Sequence, residues 1–452
     1  MIARARVAAF EILRAVSSGR ADLPSAIAHA RESLDDDRDR ALAAEIATGV
    51  LRHRSALDYL IATFAKRDLD RLDPEIVAVL RLSSYQLLHL TRVPAAAVVD
   101  DAVDLTRRVK KRSAAGFVNA VLRTLSRNRG DLPLPARPHD AHDREAAIRY
   151  LAITLSHPRW LAERWHDRLG LARAERWMQF NNEPAKLTLR VNRLKTTPDA
   201  LVARLDRDDV FVTRGRWAPD ALIVTQGRAL QSDAAGDGWF VVQDEASQLV
   251  ALLAGRSPGP RVLDACASPG GKTTAMAASM HGRGLVVACD VRDARIALLV
   301  RTIAASGAAN VRVVQADLER PLPFSQTFDC VLVDAPCSGL GTLRRDPDIR
   351  WRRQESDLPV LAAAQQSMIR NAAASVAAGG RLIYATCSSE PEENEHVVEA
   401  FLAAEPSFVA LDAREIADVP SATIDAHRRL RTTPDEHGLE CFFGAVLERR
   451  KL

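Results

Sequence analysis

Asp264-Ala265-Cys266-Ala267-Ser268-Pro269-Gly270-Gly271-Lys272-Thr273-Thr274 is the stretch that decides the fold. It follows a short apolar run, Val262-Leu263, and its glycines lead into a helical pattern. Glycines at a strand-to-helix turn let the backbone approach a ligand at the carboxyl edge of an open α/β sheet. Gly271-Lys272-Thr273 also matches half of the G-x-x-x-x-G-K-[ST] phosphate loop, and Asp334, ending an apolar strand, resembles a Mg²⁺-binding carboxylate. Against a P-loop ATPase, Cys266 stands where that motif needs its first glycine, and Pro269 removes a backbone N–H from the would-be cradle. A dinucleotide site is disfavoured because G-x-G-x-x-G is absent.

Outward from this turn, β-rich runs alternate with helical stretches: Leu285 to Asp290, Val311 to Val314, Phe328 to Asp334 and Arg381 to Ala385. That alternation predicts βαβ units on a parallel sheet. The last run, Cys441 to Leu447, follows a turn at His437-Gly438 and suits antiparallel pairing. Asp290 ends the second strand, where an acidic side chain commonly accepts ribose hydroxyls, and Asp317 follows the third, in position to meet an adenine amino group. A helix N-cap accounts for any one such Asp but poorly for three at successive strand ends. S-adenosyl-L-methionine is the nucleoside cofactor that fits best.

Two cysteines stand at strand termini, Cys337 in Asp334-Ala335-Pro336-Cys337-Ser338-Gly339 and Cys387 in Thr386-Cys387-Ser388. Both are expected at the cofactor's edge of the sheet. Cys289 and Cys330, inside apolar strands, read as small buried hydrophobes, and so does Cys441. No C-x-x-C pair suggests zinc or redox chemistry, so no metal is expected.

The remaining chain reads as further domains. With 452 residues, more than one core is the default. From Ala3 to about Arg129 apolar residues recur at helical spacing, as in Leu80-Arg81-Leu82-Ser83-Ser84-Tyr85-Gln86-Leu87-Leu88. The stretch Leu105 to Gly130 carries Arg107, Arg108, Lys110, Lys111, Arg112, Arg123, Arg127 and Arg129 with no acidic residue, a footprint expected for RNA phosphates. A Pro-rich break at Asp131 to Asp140 reads as a linker. Helical signals from Trp160 to Phe180 then give way to the alternating Leu187-Thr188-Leu189-Arg190-Val191-Asn192 and short strands ending near Gln243. The net charge of +4 is too mild to prove a nucleic-acid partner. No apolar run approaches the roughly 20 residues of a membrane helix, and Met1 to Arg6 leads into no signal-peptide core, so a cytoplasmic protein is expected.

The stretch Cys266 to Lys272, the two cysteine motifs, Val242-Gln243-Asp244-Glu245-Ala246-Ser247, Arg344-Arg345-Asp346-Pro347-Asp348-Ile349-Arg350-Trp351 and Glu392-Glu393-Asn394-Glu395 together resemble the Nol1/Nop2/Sun family of RNA cytosine-5 methyltransferases. Asp39-Arg40-Ala41-Leu42-Ala43 and Gly116-Phe117-Val118-Asn119-Ala120-Val121-Leu122-Arg123 look like the NusB-like domain of that family's bacterial Fmu/Sun branch. The resemblance implies a multidomain chain. An all-α NusB-like bundle spans 1–130, a linker 131–142, a small α+β RNA-binding module 143–240, and a C-terminal α/β Rossmann-like class I methyltransferase domain 241–452. It implies a monomer acting on a 16S ribosomal RNA cytosine, with Cys387 as nucleophile, Cys337 assisting release and Asp334 or Lys272 near ring N3. S-adenosyl-L-methionine would be held by Cys266, Ala267, Ser268, Pro269, Gly270, Gly271, Lys272, Asp290, Asp317 and Asp334. A non-catalytic RNA-binding factor is the other alternative, and it has no need of thiols at a cofactor edge. One departure is Gly438-Leu439-Glu440-Cys441-Phe442-Phe443, where the family often has Asp-Gly before the aromatic pair, and an altered terminal hairpin is expected there.

Overall fold

The computed structural model describes residues 2–140, 143–255, 258–416 and 418–451. The last two positions of the expected linker, Ala141 and His142, lie outside the described residues. The chain forms two compact units, one of Met1–Pro184 with Leu343–Glu355, the other of Ala185–Thr342 with Ser356–Leu452. The expected 143–240 module is thus shared, its residues up to Pro184 lying in the first unit and its strands, with the helix Pro198–Asp206, in the second.

The first unit is helical, built on Arg4–Ser17, Leu23–Glu32, Asp37–Arg52, Arg54–Ala65, Pro74–His89, Ala95–Arg108, Ala115–Arg127 and Arg159–Asn182. Local chemistry sets the helix starts. Asp22 Oδ1 accepts the Ser25 N–H at 2.8 Å, and Pro74 occupies the first turn of its helix, where a missing N–H costs nothing. Phe10, Ile46, Leu57, Ile61, Leu80 and Leu122 are buried on the inward faces. Between Arg127 and Arg144 the described residues carry no helix or strand, as Pro133, Pro135 and Pro138 dictate.

The second unit holds two sheets. β1 (Thr188–Val191), β2 (Phe211–Arg214), β3 (Ala221–Gln226) and β4 (Phe240–Val242) form an antiparallel sheet in the order β2-β3-β1-β4, accompanied by the helix Pro198–Asp206. The large sheet contains β5 (Arg261–Asp264), β6 (Leu285–Asp290), β7 (Val311–Gln315), β8 (Phe328–Asp334), β9 (Val376–Thr386), β10 (Phe408–Ala410), β11 (Leu430–Thr432) and β12 (Phe442–Arg449). Its order is β10-β12-β9-β8-β5-β6-β7, with β11 against β12. Strands β5 to β9 pair in parallel, while β12 runs antiparallel to β9. The apolar runs of β5, β6 and β8 suit strands covered on both faces, and Val262, Leu263, Val331, Leu332 and Ile383 are fully buried. After β7 the chain crosses back to the other side of β5, so the strand order reverses between β5 and β8. A crevice at that reversal is where open α/β sheets bind ligands.

Candidate active site

Five parallel strands deliver their carboxyl ends to one edge, which brings the sequence-derived candidates together. Asp264, Asp290 and Asp334 end β5, β6 and β8, Asp317 lies just beyond β7, and Cys387 follows β9. The Cys266–Lys272 turn is held from several sides. The Ala267 N–H donates to the Cys289 carbonyl at 2.8 Å and the Ser268 N–H to Asp290 Oδ2 at 3.2 Å. Gly270 sits at φ 104°, and a Cβ there would lie 3.0 Å from Leu299 Cδ1, so only glycine serves. The helix Gly271–Ser279 starts immediately after it.

Arg190 of β1 fastens that helix start. Its guanidinium donates to Gln243 Oε1 at 2.6 Å, to Thr274 Oγ1 at 2.7 Å and, very closely, to the Gly271 carbonyl. Sequence reading placed Arg190 in a strand but gave it no role. The only signal was a charged residue among Leu189 and Val191. All of β1 is buried, so the Arg has to bond internally.

The carboxylates differ in environment. Asp290 is almost wholly buried, and its Oδ1 also takes the Val291 N–H at 2.9 Å. Asp317 is half-buried, accepting the Glu319 N–H at 3.0 Å, with Arg320 at 3.5 Å. Burial pushes the Asp264 carboxyl up to about 7; the Thr273 hydroxyl, donating at 2.7 Å, opposes this and the Asp334 charge adds to it. A tight glycine turn flanked by carboxylates on adjacent strand ends fits a ligand with hydroxyl and amino donors and a positive charge.

Lys272 Nζ donates to Asp334 Oδ2 at 2.6 Å. Burial works against the Lys272 charge, yet Asp334, by charge and hydrogen bond together, leaves its pKa raised. The two thiols touch, Cys337 Sγ lying 3.3 Å from Cys387 Sγ. The Cys387 thiol is pushed well up by its hydrogen bond with Cys337, then by burial and the Asp334 charge, while Lys272 pulls the other way. Cys266 is pushed far up by burial and then Asp264, which leaves it a poor nucleophile. Cys289, Cys330 and Cys441 are buried as expected.

Around the thiols the backbone is crowded. The Gly341 N–H donates to the Cys387 carbonyl at 2.9 Å and the Cys441 N–H to the Gly341 carbonyl at 3.0 Å. A Cβ on Gly341 would collide with both the Cys387 and Cys441 carbonyls. Despite Glu440, the terminal hairpin forms. Thr432 Oγ1 donates to the Glu440 carbonyl at 2.6 Å, and Leu430 to Thr432 pair with Gly444 to Phe442.

The basic stripe needs a correction. Lys111 Nζ lies 2.9 Å from Asp73 Oδ1 and Arg107 Nη1 3.1 Å from Asp104 Oδ1. Carboxylates from outside Leu105 to Gly130 therefore compensate two of its charges. Among the described residues no cluster of His, Cys, Asp or Glu is arranged to hold a metal, and no helix is long and apolar enough to cross a membrane.

Three family models match the chain. The NusB family covers residues 3–127, the RsmF/B-like ferredoxin-like domain 157–231, and the 16S rRNA methyltransferase RsmB/F 251–448. The probable ribosomal RNA small subunit methyltransferase B of Bacillus subtilis is 33% identical over 419 residues, covering 92% of this chain and 91% of that protein. The ribosomal RNA small subunit methyltransferase B of Pseudomonas putida is 34% identical, covering 90% of this chain and 91% of its own. The crystal structure of PH0851 superposes with a TM-score of 0.80 at 25% identity, covering 99% of both chains. The helical bundle, the ferredoxin-like sheet, the doubly wound α/β domain and these likenesses agree: the chain belongs to the ribosomal RNA small subunit methyltransferase B family, whose methyl donor is S-adenosylmethionine.

Proposed function

We propose that this chain methylates carbon 5 of a cytosine in 16S ribosomal RNA through a covalent adduct on Cys387. The observation that carries the reading is the contact of two thiols, 3.3 Å apart, at the sheet edge that also presents the Lys272–Asp334 pair. Carbon 5 of cytosine is a poor nucleophile. Addition of the Cys387 sulfur to carbon 6 forms an S–C bond and pushes the ring electrons toward carbon 5 and N3, which makes carbon 5 enamine-like. S-adenosylmethionine, when bound, would supply the electrophilic sulfonium methyl group for carbon 5 and leave as S-adenosylhomocysteine.

This chain's residues manage the protons. The free Cys387 thiol is held protonated by Cys337, burial and Asp334, so it must lose its proton when the base arrives, and the nearby Lys272 ammonium favours that loss. The Lys272–Asp334 pair takes that proton and delivers it to N3 during addition, so the proton lost by the thiol is the one gained by the ring. Cys337, beside the new S–C bond, assists removal of the carbon 5 proton, after which the Cys387 sulfur leaves and the ring double bond returns. The cofactor is held by Cys266 to Lys272, Asp290, Asp317 and Asp334. The target base leaves its stack to reach these groups.

The test pairs the two cysteine variants with bisulfite sequencing of 16S RNA from a deletion strain carrying each. Cys387→Ala should leave the site unmethylated and form no covalent complex. Cys337→Ala should trap a slow-migrating protein–RNA band that depends on S-adenosylmethionine. A trapped band from Cys387→Ala instead would reverse the two roles, and full methylation by Cys387→Ala would remove the covalent mechanism.

A further inference from the structure

Glu393 is fully buried on a short 3-10 turn, and among the described residues no basic side chain pairs with it. Its carboxyl group is satisfied by donors alone. Oε1 accepts the Ser338 N–H at 2.7 Å and Gln365 Nε2 at 3.0 Å. Oε2 accepts Ser338 Oγ at 2.5 Å and, very closely, Ser388 Oγ. Ser338 follows Cys337 and Ser388 follows Cys387, and the two hydroxyls lie 3.1 Å apart. Gln365 Nε2 also donates to the Pro336 carbonyl at 2.9 Å, so Cys337 is tied to Glu393 from both neighbours. One carboxyl group therefore spans both cysteine loops.

We infer that Glu393 is a positioning residue that holds the two thiols in contact, and that it governs the Cys337 step more than the Cys387 step. The asymmetry lies in the bonds that Glu393 itself makes: the Ser338 N–H, Ser338 Oγ and the Gln365 bridge flank Cys337, against Ser388 Oγ alone beside Cys387. The Cys387 loop keeps Asn394 Nδ2 donating to the Ser388 carbonyl at 3.0 Å and the Ser388 N–H donating to Thr386 Oγ1 at 3.2 Å. Without Glu393 the Cys337 loop loses both bonds to Ser338, and Gln365 keeps its bond to the Pro336 carbonyl but no longer links it to Ser338. An acceptor-only group suits four donors, whereas a glutamine at 393 keeps one acceptor oxygen and turns its NH₂ toward the two serine hydroxyls, which then have to accept, so both charge-assisted bonds of Oε2 are lost. Burying an ionisable group without a counter-charge is costly, so it marks a position where donors have to be fixed in place.

The part of this inference that concerns turnover rests on the thiol roles proposed above, whereas the geometric part does not. Glu393→Gln, in the full-length protein with S-adenosylmethionine added, separates the two. The first readout uses diamide, a diazene that takes two electrons and two protons from a thiol pair and becomes a hydrazine while the pair becomes a disulfide. Peptide mapping follows the Cys337–Cys387 product. Contacting thiols should react quickly in the wild type, and E393Q should slow this by about tenfold or more, since misplacement near 1 Å has effects of that size or larger. The second readout is turnover. E393Q should lower kcat, leave KM for S-adenosylmethionine unchanged, and accumulate the cofactor-dependent RNA band seen with Cys337→Ala.

Disulfide formation at the wild-type rate in folded E393Q would overturn the inference. Slowed disulfide formation without an accumulated band in either E393Q or Cys337→Ala would support Glu393 as the clamp and sink the assigned thiol roles. If E393Q does not fold, Ser338→Ala removes one hydroxyl from the same clamp. It should slow the diamide reaction by a smaller factor, and an unchanged rate there would equally overturn the inference.

Discussion

Arg350 in the first unit and Glu393 in the second are both fully buried ionised-type side chains hydrogen-bonded without an opposite charge, yet their partners differ in kind. Arg350 donates to the Ser156 carbonyl at 3.0 Å, Asn182 Oδ1 at 2.9 Å, the Asn181 carbonyl at 3.2 Å and the Arg52 carbonyl at 3.4 Å. Arg52 and Asn181 stand at the C-terminal ends of Asp37–Arg52 and Arg159–Asn182, where carbonyls lack helical partners and the dipole is negative. Trp351 Nε1 donates to the Leu51 carbonyl at 2.6 Å of the same helix end. The cation is thus a structural cap that seats residues 343–355 on helix termini. Glu393 instead collects donors that neighbour the two thiols. A buried cation on backbone carbonyls builds a fold, and a buried anion on loop hydroxyls sets distances between reactive groups.

The largest expected effect breaks or confirms that division. Arg350→Met should destabilise the protein by about 3 kcal/mol or more, because several buried carbonyls lose their donor. Urea denaturation measures it. Glu393→Gln should cost less stability than Arg350→Met while slowing turnover more in the protein that remains folded. If the two variants rank in the same order by stability and by kcat, the contrast fails.

Asp264 sharpens the comparison as a buried acid beside both Thr273 and the Lys272–Asp334 pair. Its carboxyl titrates near 7 in the folded protein against an ordinary value of 3.8. The native state holds the extra proton between those values, so this group's contribution to stability declines as pH rises through that window, by up to about 1.4 kcal/mol per pH unit. Asp264→Asn removes the term. The variant should gain on the wild type between pH 5 and pH 8 in urea midpoints, and parallel curves would show that Asp264 is not a buried titrating charge.

The smallest effect contrasts buried with exposed cations. If the stripe meets RNA phosphates, each lost contact should flatten the slope of log affinity against log salt by roughly 0.7 to 0.9. Reversing Arg108 and Arg112 should flatten it more than reversing Arg107 and Lys111, which Asp104 and Asp73 already occupy. Equal slopes for the two sets would mean that those carboxylates do not matter to binding.

Much of the second unit was legible in the sequence because continuous apolar runs bounded by Gly, Pro and Asp define buried parallel strands. Cys337 and Cys387 stood out by sitting just past such runs. Legibility failed where the partner lies far along the chain. Arg350 looks like any charged helix residue until the ends of two distant helices converge on it. Glu393 lies in an acidic run, Glu392-Glu393-Asn394-Glu395, that suggests solvent exposure, and only the return of β8 and β9 to one edge brings Ser338 and Ser388 within its reach. The stripe looked uncompensated because Asp73 is remote in sequence from Lys111. Local pattern reports which face is apolar, but it does not report which loops meet.

β12 is the last strand among the described residues, yet it pairs with β9 from Phe443↔Thr386 to Glu448↔Arg381, and the Cys441 N–H just before it holds the Gly341 carbonyl beside Cys387. A nascent chain that has already delivered the cofactor turn and both cysteine motifs still lacks this support. Domains fold as units, so the loops that carry Cys337 and Cys387 gain their full packing only when β12 has joined β9.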